Sequence, residues 1–274
     1  MMIQSVKRAA EILKLFSPRT PRLGITEISE KVGIHKATAQ GLVRTLVAEG
    51  FLAQDPETRK YKLGFAIYEL GVALASGLKI NQVSVNPAHR LAMKTGFLVR
   101  ISIPDRDSAV IVMDAYPRST PFLYPQFGLR FPLYCTAMGK ALLAQWEDDR
   151  LEAYCSTIEF FAFTSHTIST KEELLRELAE VRRNGYAVNR EEHLLSRSAI
   201  GAPIFDSGGQ VIASMSIVAD PSRLQGGTVE SLAPLVISTA MEISQNMGYV
   251  ARAPVGTDRS RSPITQKVKS DAIP

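Results

Sequence analysis

The chain has 274 residues, an apolar fraction of 45% and a formal net charge of +5, enough length to bury two domain-sized cores. It contains no run of 18 apolar residues, so no membrane-spanning helix and no membrane partner are expected. Its two cysteines, Cys135 and Cys155, are too few for a disulfide framework and point to a reducing, cytoplasmic setting.

The charge is unevenly placed. Residues 1–64 hold 11 Lys+Arg against 6 Asp+Glu, residues 65–250 hold 16 against 19, and residues 251–274 hold 5 against 2. The cationic excess gathers at the two ends, as expected if one end meets phosphates.

The first segment, SVKRAAEILKLF, is periodic for an amphipathic helix, capped by Ser5, with Val6, Ala10, Leu13 and Phe16 as its buried stripe. Cations inside the apolar pattern and the lack of a small-residue cleavage site set it apart from a signal peptide. Thr26 is placed to cap a second helix that carries Ile28 and Val32 inward and stops at Gly33. A third helix from about Lys36 to Glu49 puts Leu42, Val43, Leu46 and Val47 on one side, offers Lys36, Thr38 and Gln40 outward, and ends at Gly50. Phe51–Gln54, the turn Asp55–Thr58 and Arg59–Leu63 then form a hairpin whose returning strand is cationic. Helix, tight turn, helix and wing is the order that delivers a helix N-terminus into a DNA major groove. Residues 1–64 are therefore expected to bind double-stranded DNA. Gln40 can read an adenine edge, while Arg59, Lys60 and Lys62 would hold phosphates, unless those wing cations are merely solvated.

Residues 65–80 carry Phe65, Ile67, Leu70, Val72, Leu74 and Leu78 at helical spacing. So apolar a helix must be covered, either by its own domain or, as a linker helix, by a partner subunit. The second reading suits a DNA reader that needs two copies to span two half-sites. A further domain is expected over residues 81–250. It starts with a helix near Asn86 that has Pro87 in its first turn, followed by strands over 97–103 and 108–114. The stretch 115–134, with six aromatics and four prolines, has no regular element. Helices over 136–145, 147–154 and 171–184 come next, then strands over 199–205 and 211–218 flanking the turn Asp206-Ser207-Gly208-Gly209. A helix over 227–247 closes the domain. The pattern predicts an α+β domain, an antiparallel or mixed sheet covered by helices. Residues 251–274, rich in Ser, Arg, Pro and Lys, are expected to be disordered.

The segments SVKRAAEILKLF, DPETRKYKLG, CTAMGKALLA and RRNGYAVNREEHLLSRSAIGAPIFDSGGQVIASMSI, with the helix-turn-helix between them, are assembled in an order that resembles the IclR family of bacterial transcriptional regulators over residues 4–249. The resemblance implies a winged helix joined by a linker helix to a GAF-like effector-binding domain. It implies homodimers or homotetramers on palindromic operators, tuned by small organic acids or aromatic metabolites, with no cofactor and no enzymatic activity. It places Lys36, Thr38, Gln40 and Arg44 toward DNA, and with Thr26, Ala37 and the wing cations these are the candidate DNA-binding residues. Family members usually carry Arg where this chain has Gly41, so operator sequences do not transfer from relatives. The implied effector cavity is lined by Phe131, Ala137, Met138, Asn189, Arg197, Ala199, Ser216 and Val218. Arg197 stands where an apolar residue is usual in at least some members. Pointing inward it would demand a carboxylate, giving an aromatic or apolar carboxylic acid closed in by Asn189 and Ser216. Tyr116, Phe122, Tyr124, Phe127, Phe131 and Tyr134 would wall the same space. The alternative is a surface pair of Arg197 with Glu191 or Glu192, with the aromatics as ordinary core.

Other chemistries fit less well. Cys135 with His166 or His193 could make a thiolate–imidazole pair, but lone cysteines are more often small buried hydrophobes. A metal- or redox-responsive regulator using Cys135 and His193 stands as the alternative reading, although His35, His89, His166 and His193 show no metal-ligand spacing. The AMGKAL segment lacks the earlier Gly and the Ser/Thr of a phosphate-binding loop, so Lys140 is read as a helix-surface or capping residue. Glu191 and Glu192 could pass for a catalytic carboxylate pair, but the family resemblance places them in a structural turn at the cavity edge.

Overall fold

The computed structural model describes residues 2–118 and 126–250. The expected disorder of 251–274 and the wall positions Phe122 and Tyr124 fall outside the described residues.

Helix α1 (Gln4–Lys14), α2 (Ile25–Val32) and α3 (Lys36–Ala48) pack with the hairpin β1 (Leu52–Gln54) and β2 (Tyr61–Leu63). Their shared core is Ile12, Phe16, Leu23, Ile28, Val43, Leu46 and Leu52, each worth about 1.5–3 kcal/mol when fully buried. Four expectations from the sequence are corrected here. Helix α1 starts after Ile3 with no side-chain cap, so Ser5 lies inside the first turn, and Val6 is 64% exposed while Ile12 is fully buried. The stripe runs through Ala9, Ile12, Leu13 and Phe16 because the 3.6-residue period turns Val6 outward. Helix α2 is entered through Gly24, not Thr26. The Glu27 side chain accepts from the Gly24 N–H at 2.6 Å, and Thr26 sits exposed in the first turn. Arg59 belongs to the wing turn rather than the returning strand, in a left-handed conformation at φ 56°.

Helix α4 (Phe65–Gly77) has no buried residue. Helix α5 (Lys79–Thr95) begins well before Pro87, which lies buried inside it instead of at its start. Proline removes one helical hydrogen bond, and the burial of Ile80, Ala88 and Leu91 against the sheet carries the helix through it.

The second domain is built on a six-stranded sheet: β3 (Leu98–Asp105), β4 (Ser108–Ala115), β5 (Arg130–Pro132), β6 (Ala187–Arg190), β7 (Ser198–Phe205) and β8 (Val211–Ala219). The order is β5-β4-β3-β8-β7-β6 and every pairing is antiparallel. Strand β5 lies in the aromatic- and proline-rich stretch expected to have no regular element, and its three residues with Pro132 form a short edge. Strand β6 was not legible as a strand either. Helices α6 (Ala137–Leu143), α7 (Asp148–Thr157), α8 (Lys171–Asn184) and α9 (Thr228–Asn246) complete the fold.

Strand alternation sorts the two sheet faces. Val99, Ile101, Ile200, Met215 and Ile217 are fully buried with Leu91, Val236, Ala240 and Ile243 of α5 and α9. The opposite face presents two rows. Asn189, Ala199, Val218 and Leu98 stand opposite one another across β6, β7, β8 and β3. Gly201, Ser216, Arg100 and Asp114 do so across β7, β8, β3 and β4. Gly201 lets α6 approach, since a Cβ there would lie 2.8 Å from the backbone carbonyl of Ala137. These two rows form the floor of a cavity.

Candidate DNA interface and effector cavity

On the winged helix, Lys36, Ala37, Thr38, Gln40 and Arg44 of α3 are all exposed on the side away from the core residues Ala39, Val43 and Leu46. The left-handed Gly33 and Gly50 bracket the region, turning the chain sharply into and out of it. The wing turn is held by Asp55, whose Oδ1 accepts from the Thr58 and Glu57 N–H groups at 2.9 and 3.2 Å. The bond from Thr58 holds that carboxyl below its ordinary value. Lys60 lies 3.6 Å from Glu27, whereas Lys36, Arg44, Arg59 and Lys62 enter no ion pair among the described residues. Cations left unneutralised on one face are available to phosphates. A methyl group added at Gly41 would meet nothing within 4 Å, so the recognition face is open there.

In the second domain a cavity of about 600 Å³ opens over the two sheet rows. All eight positions singled out from the sequence line it: Phe131, Ala137, Met138, Asn189, Arg197, Ala199, Ser216 and Val218. Sequence reasoning missed Arg100, Gln126, Asp220 and Arg223 in the same wall. Arg100 left a signal, a charge inside the apolar strand run FLVRISI at a position that must point into a covered face; the other three left none.

Arg100 is 11% exposed, and its Nε donates to Asp114 Oδ1 at 3.1 Å. Burial pushes its guanidinium below the ordinary arginine value, with Asp114 opposing and Arg197 adding to the shift. Arg197 is exposed at the cavity mouth and donates from Nη1 to the Ser196 carbonyl at 2.7 Å. It makes no ion pair with Glu191 or Glu192. Glu191 instead accepts from the Ser196 N–H at 2.7 Å, and Glu192 turns inward to Lys140. Arg223 lies over the Phe97 ring at 4.1 Å. Hydrogen bonds from Ser222 hold the Asp220 carboxyl below its ordinary value, with Arg197 and Arg223 contributing.

The aromatic wall is a correction. Of its described members only Phe131 lines the cavity. Tyr134 is core and donates to the Phe161 carbonyl at 2.7 Å, Tyr116 donates to Asp114 Oδ2 at 3.1 Å, and Phe127 is 54% exposed. The ring beside Phe131 is His193, at 5.3 Å, with its imidazole pushed below its ordinary value by burial.

Lys140 is a second correction, because it is not on the surface. It is 1% exposed, and its Nζ donates to Glu192 at 2.8 and 3.1 Å and to Glu177 at 2.8 Å. It thus fixes from behind the loop 191–197, which supplies His193, Leu194 and Arg197 to the cavity. Asn189 Oδ1 accepts from the Glu192 N–H at 2.9 Å, and Glu191 and Ser196 both stand at φ 60°, a conformation non-glycine residues hold only when surroundings dictate it. Cys135 is fully buried, and burial raises its thiol to about 12, far from a thiolate. Among the described residues no group of three or more His, Cys, Asp or Glu could hold a metal ion, and no helix is long and apolar enough to cross a membrane.

A winged helix with unpaired cations along its outer face, joined to an antiparallel sheet that carries a cavity of mixed polar and apolar lining, is the architecture of a DNA-binding transcription regulator. Residues 5–56 match the IclR helix-turn-helix domain, and residues 72–245 match the bacterial transcriptional regulator IclR C-terminal domain. The chain is 30% identical over 250 residues to the HTH-type transcriptional regulator XynR of Escherichia coli, covering 91% of this chain and 99% of that one. It is 31% identical over 247 residues to the HTH-type transcriptional regulator KdgR of Dickeya chrysanthemi, covering 90% and 81%. The crystal structure of an IclR transcriptional regulator from Alicyclobacillus acidocaldarius superposes with a TM-score of 0.80 at 29% identity, covering 90% of this chain and 100% of that one. The chain belongs to the IclR family of bacterial transcriptional regulators, and it is a regulator and not an enzyme.

Proposed function

We propose that this regulator binds a palindromic operator as a homodimer or a dimer of dimers, and that a small carboxylic acid in the cavity controls its DNA affinity. The domains would be the winged helix at 1–64, a linker and dimerisation helix at 65–80, the GAF-like effector domain at 81–250 and a tail at 251–274. The observation that carries the reading is the cavity itself. Arg197 and Arg223 face a single wall carboxylate, Asp220, at its mouth, and an arginine fork meets a carboxylate in bidentate fashion.

On the DNA side, Lys36, Arg44, Arg59, Lys60 and Lys62 would hold phosphates, while Thr38, Gln40 and the small Ala37 would face base edges and Thr26 the backbone. Two copies are needed because one α3 spans only one half-site. The apolar side chains on α4 favour that partner as their cover: Phe65 is 83%, Tyr68 69%, Leu70 57% and Leu74 69% exposed. Effector control follows only if the acid binds the DNA-competent and incompetent poses with different affinities. Relatives include proteins named as repressors, among them YiaJ of Escherichia coli at 29% identity, and repression relieved by ligand is the mode of control proposed for this chain.

The test is selection of genomic DNA fragments by the purified protein at two salt concentrations, followed by sequencing. Enrichment of a few palindromes, with half-sites one helical turn or a multiple apart, is the expected result. Retention that shows no sequence preference and falls steeply with salt would overturn operator recognition.

A further inference from the structure

The floor of the cavity is polar in a way that one carboxylate at the mouth does not use. Arg100 and Ser216 stand directly opposite each other on β3 and β8, and Asp114 stands opposite Arg100 on β4. Asp114 is fully buried and fully engaged: Oδ1 accepts from Arg100, and Oδ2 accepts from the Tyr116 hydroxyl and from the Gln126 N–H at 3.2 Å. Arg100 commits only its Nε to this pair, and its two terminal nitrogens have no partner among the described residues. The Ser216 hydroxyl, on a residue 1% exposed, has no hydrogen-bond partner there, and neither does the buried Gln126 Oε1. All three side chains line the cavity. An unmet buried polar group costs about 1–3 kcal/mol, so two of them beside the uncommitted end of Arg100 describe the shape of a polar ligand group that would satisfy them together.

We propose that the floor formed by Arg100, Ser216 and Gln126 binds a hydroxyl group, and that the effector is a hydroxy acid whose carboxylate sits at the mouth. The donor and acceptor inventory selects this chemistry. Arg100 only donates and Gln126 Oε1 only accepts, while a hydroxyl does both. It accepts from the guanidinium and donates to the amide oxygen, and Ser216 serves on either side. A second carboxylate would accept from Arg100 but would bring a further negative charge beside an Asp114 carboxyl that already balances the arginine. An apolar end would leave all three groups unmet. Arg100 thereby becomes a specificity-determining residue, distinct in role from Arg197.

The inference rests on the cavity being the carboxylate effector site, and matched acids separate the two ideas. Calorimetric titration of the full-length protein would compare 3-phenylpropionate with 3-(4-hydroxyphenyl)propionate, and hexanoate with 6-hydroxyhexanoate. A site built to hydrogen-bond a hydroxyl rejects the analogue lacking it, so at least a tenfold preference for the hydroxy member of one pair is expected. Gln126→Leu and Ser216→Ala should each reduce that preference toward one, read as the ratio of affinities within each pair. Folding of the variants is controlled by their thermal unfolding and their DNA binding without acid. Equal affinities within both pairs would overturn the hydroxyl site alone, leaving ordered water as the occupant of the floor. Binding of none of the four acids would overturn the carboxylate reading and this inference with it.

Discussion

Lys140 shows how a single buried residue can be structural and yet tied to the cavity, through the loop it holds. Its ammonium is held between Glu192 and Glu177 with almost no solvent, and such a triad contributes little net stability relative to apolar packing. Breaking it is costly, because removing one partner strands buried charge. Lys140→Met is therefore expected to lower unfolding free energy by about 3–5 kcal/mol in urea titration, and adding Glu192→Gln should restore some of the loss. A single variant as stable as wild type would contradict the burial of this pair. The role proposed for Arg197 is one of charge at the mouth instead. It has no ion-pair partner among the described residues, so its removal should leave stability nearly unchanged.

At the scale of elements, the close contact of α6 with the sheet depends on Gly201. A methyl there would meet the Ala137 backbone at 2.8 Å. Gly201→Ala should cost about 1–3 kcal/mol by overpacking, seen as a lowered melting temperature, and should displace Ala137 and Met138 from the cavity. Gly41 behaves oppositely. It lies mid-helix with open space around it, so Gly41→Ala should stabilise the winged helix by about 1 kcal/mol; a destabilised Gly41→Ala protein would mean that the glycine serves the helix itself.

Elements with a strong period were legible from sequence. Helix α8 spans Lys171–Asn184 as read, with Thr170 capping it and Gly185 ending it in a left-handed conformation. Strands β7 and β8 and their Asp206–Gly209 turn were also legible, because alternation and glycine leave local marks. The wing, α1's stripe and the start of α5 were read less well, since tertiary packing decided them: Ile12 won over Val6, and the sheet carried α5 through Pro87. The cavity positions came from the family resemblance. Arg223, Gln126 and the inward turn of Lys140 depend on contacts between segments far apart in sequence, which no local pattern encodes.

At the scale of the whole molecule, α4 is the element that a lone copy leaves uncovered. Five of its apolar side chains, Phe65, Tyr68, Leu70, Val72 and Leu74, are 45–83% exposed, and this patch is the proposed subunit interface. The double variant Phe65→Asp/Leu74→Asp should sediment as a smaller species and lose operator affinity at least tenfold, because two half-sites then bind independently. An unchanged sedimentation coefficient would place the subunit interface elsewhere.

The most direct test joins both ends of the molecule. Fluorescence anisotropy on a selected operator duplex would follow the DNA affinity of the wild type and of Arg197→Ala as carboxylic acids are titrated in. At least one acid is expected to shift the wild-type Kd tenfold or more, while Arg197→Ala binds DNA normally without acid and fails to respond. A response undiminished in Arg197→Ala, or a wild-type DNA affinity that no cavity-bound acid alters, would contradict control of DNA binding by an acid held at this arginine.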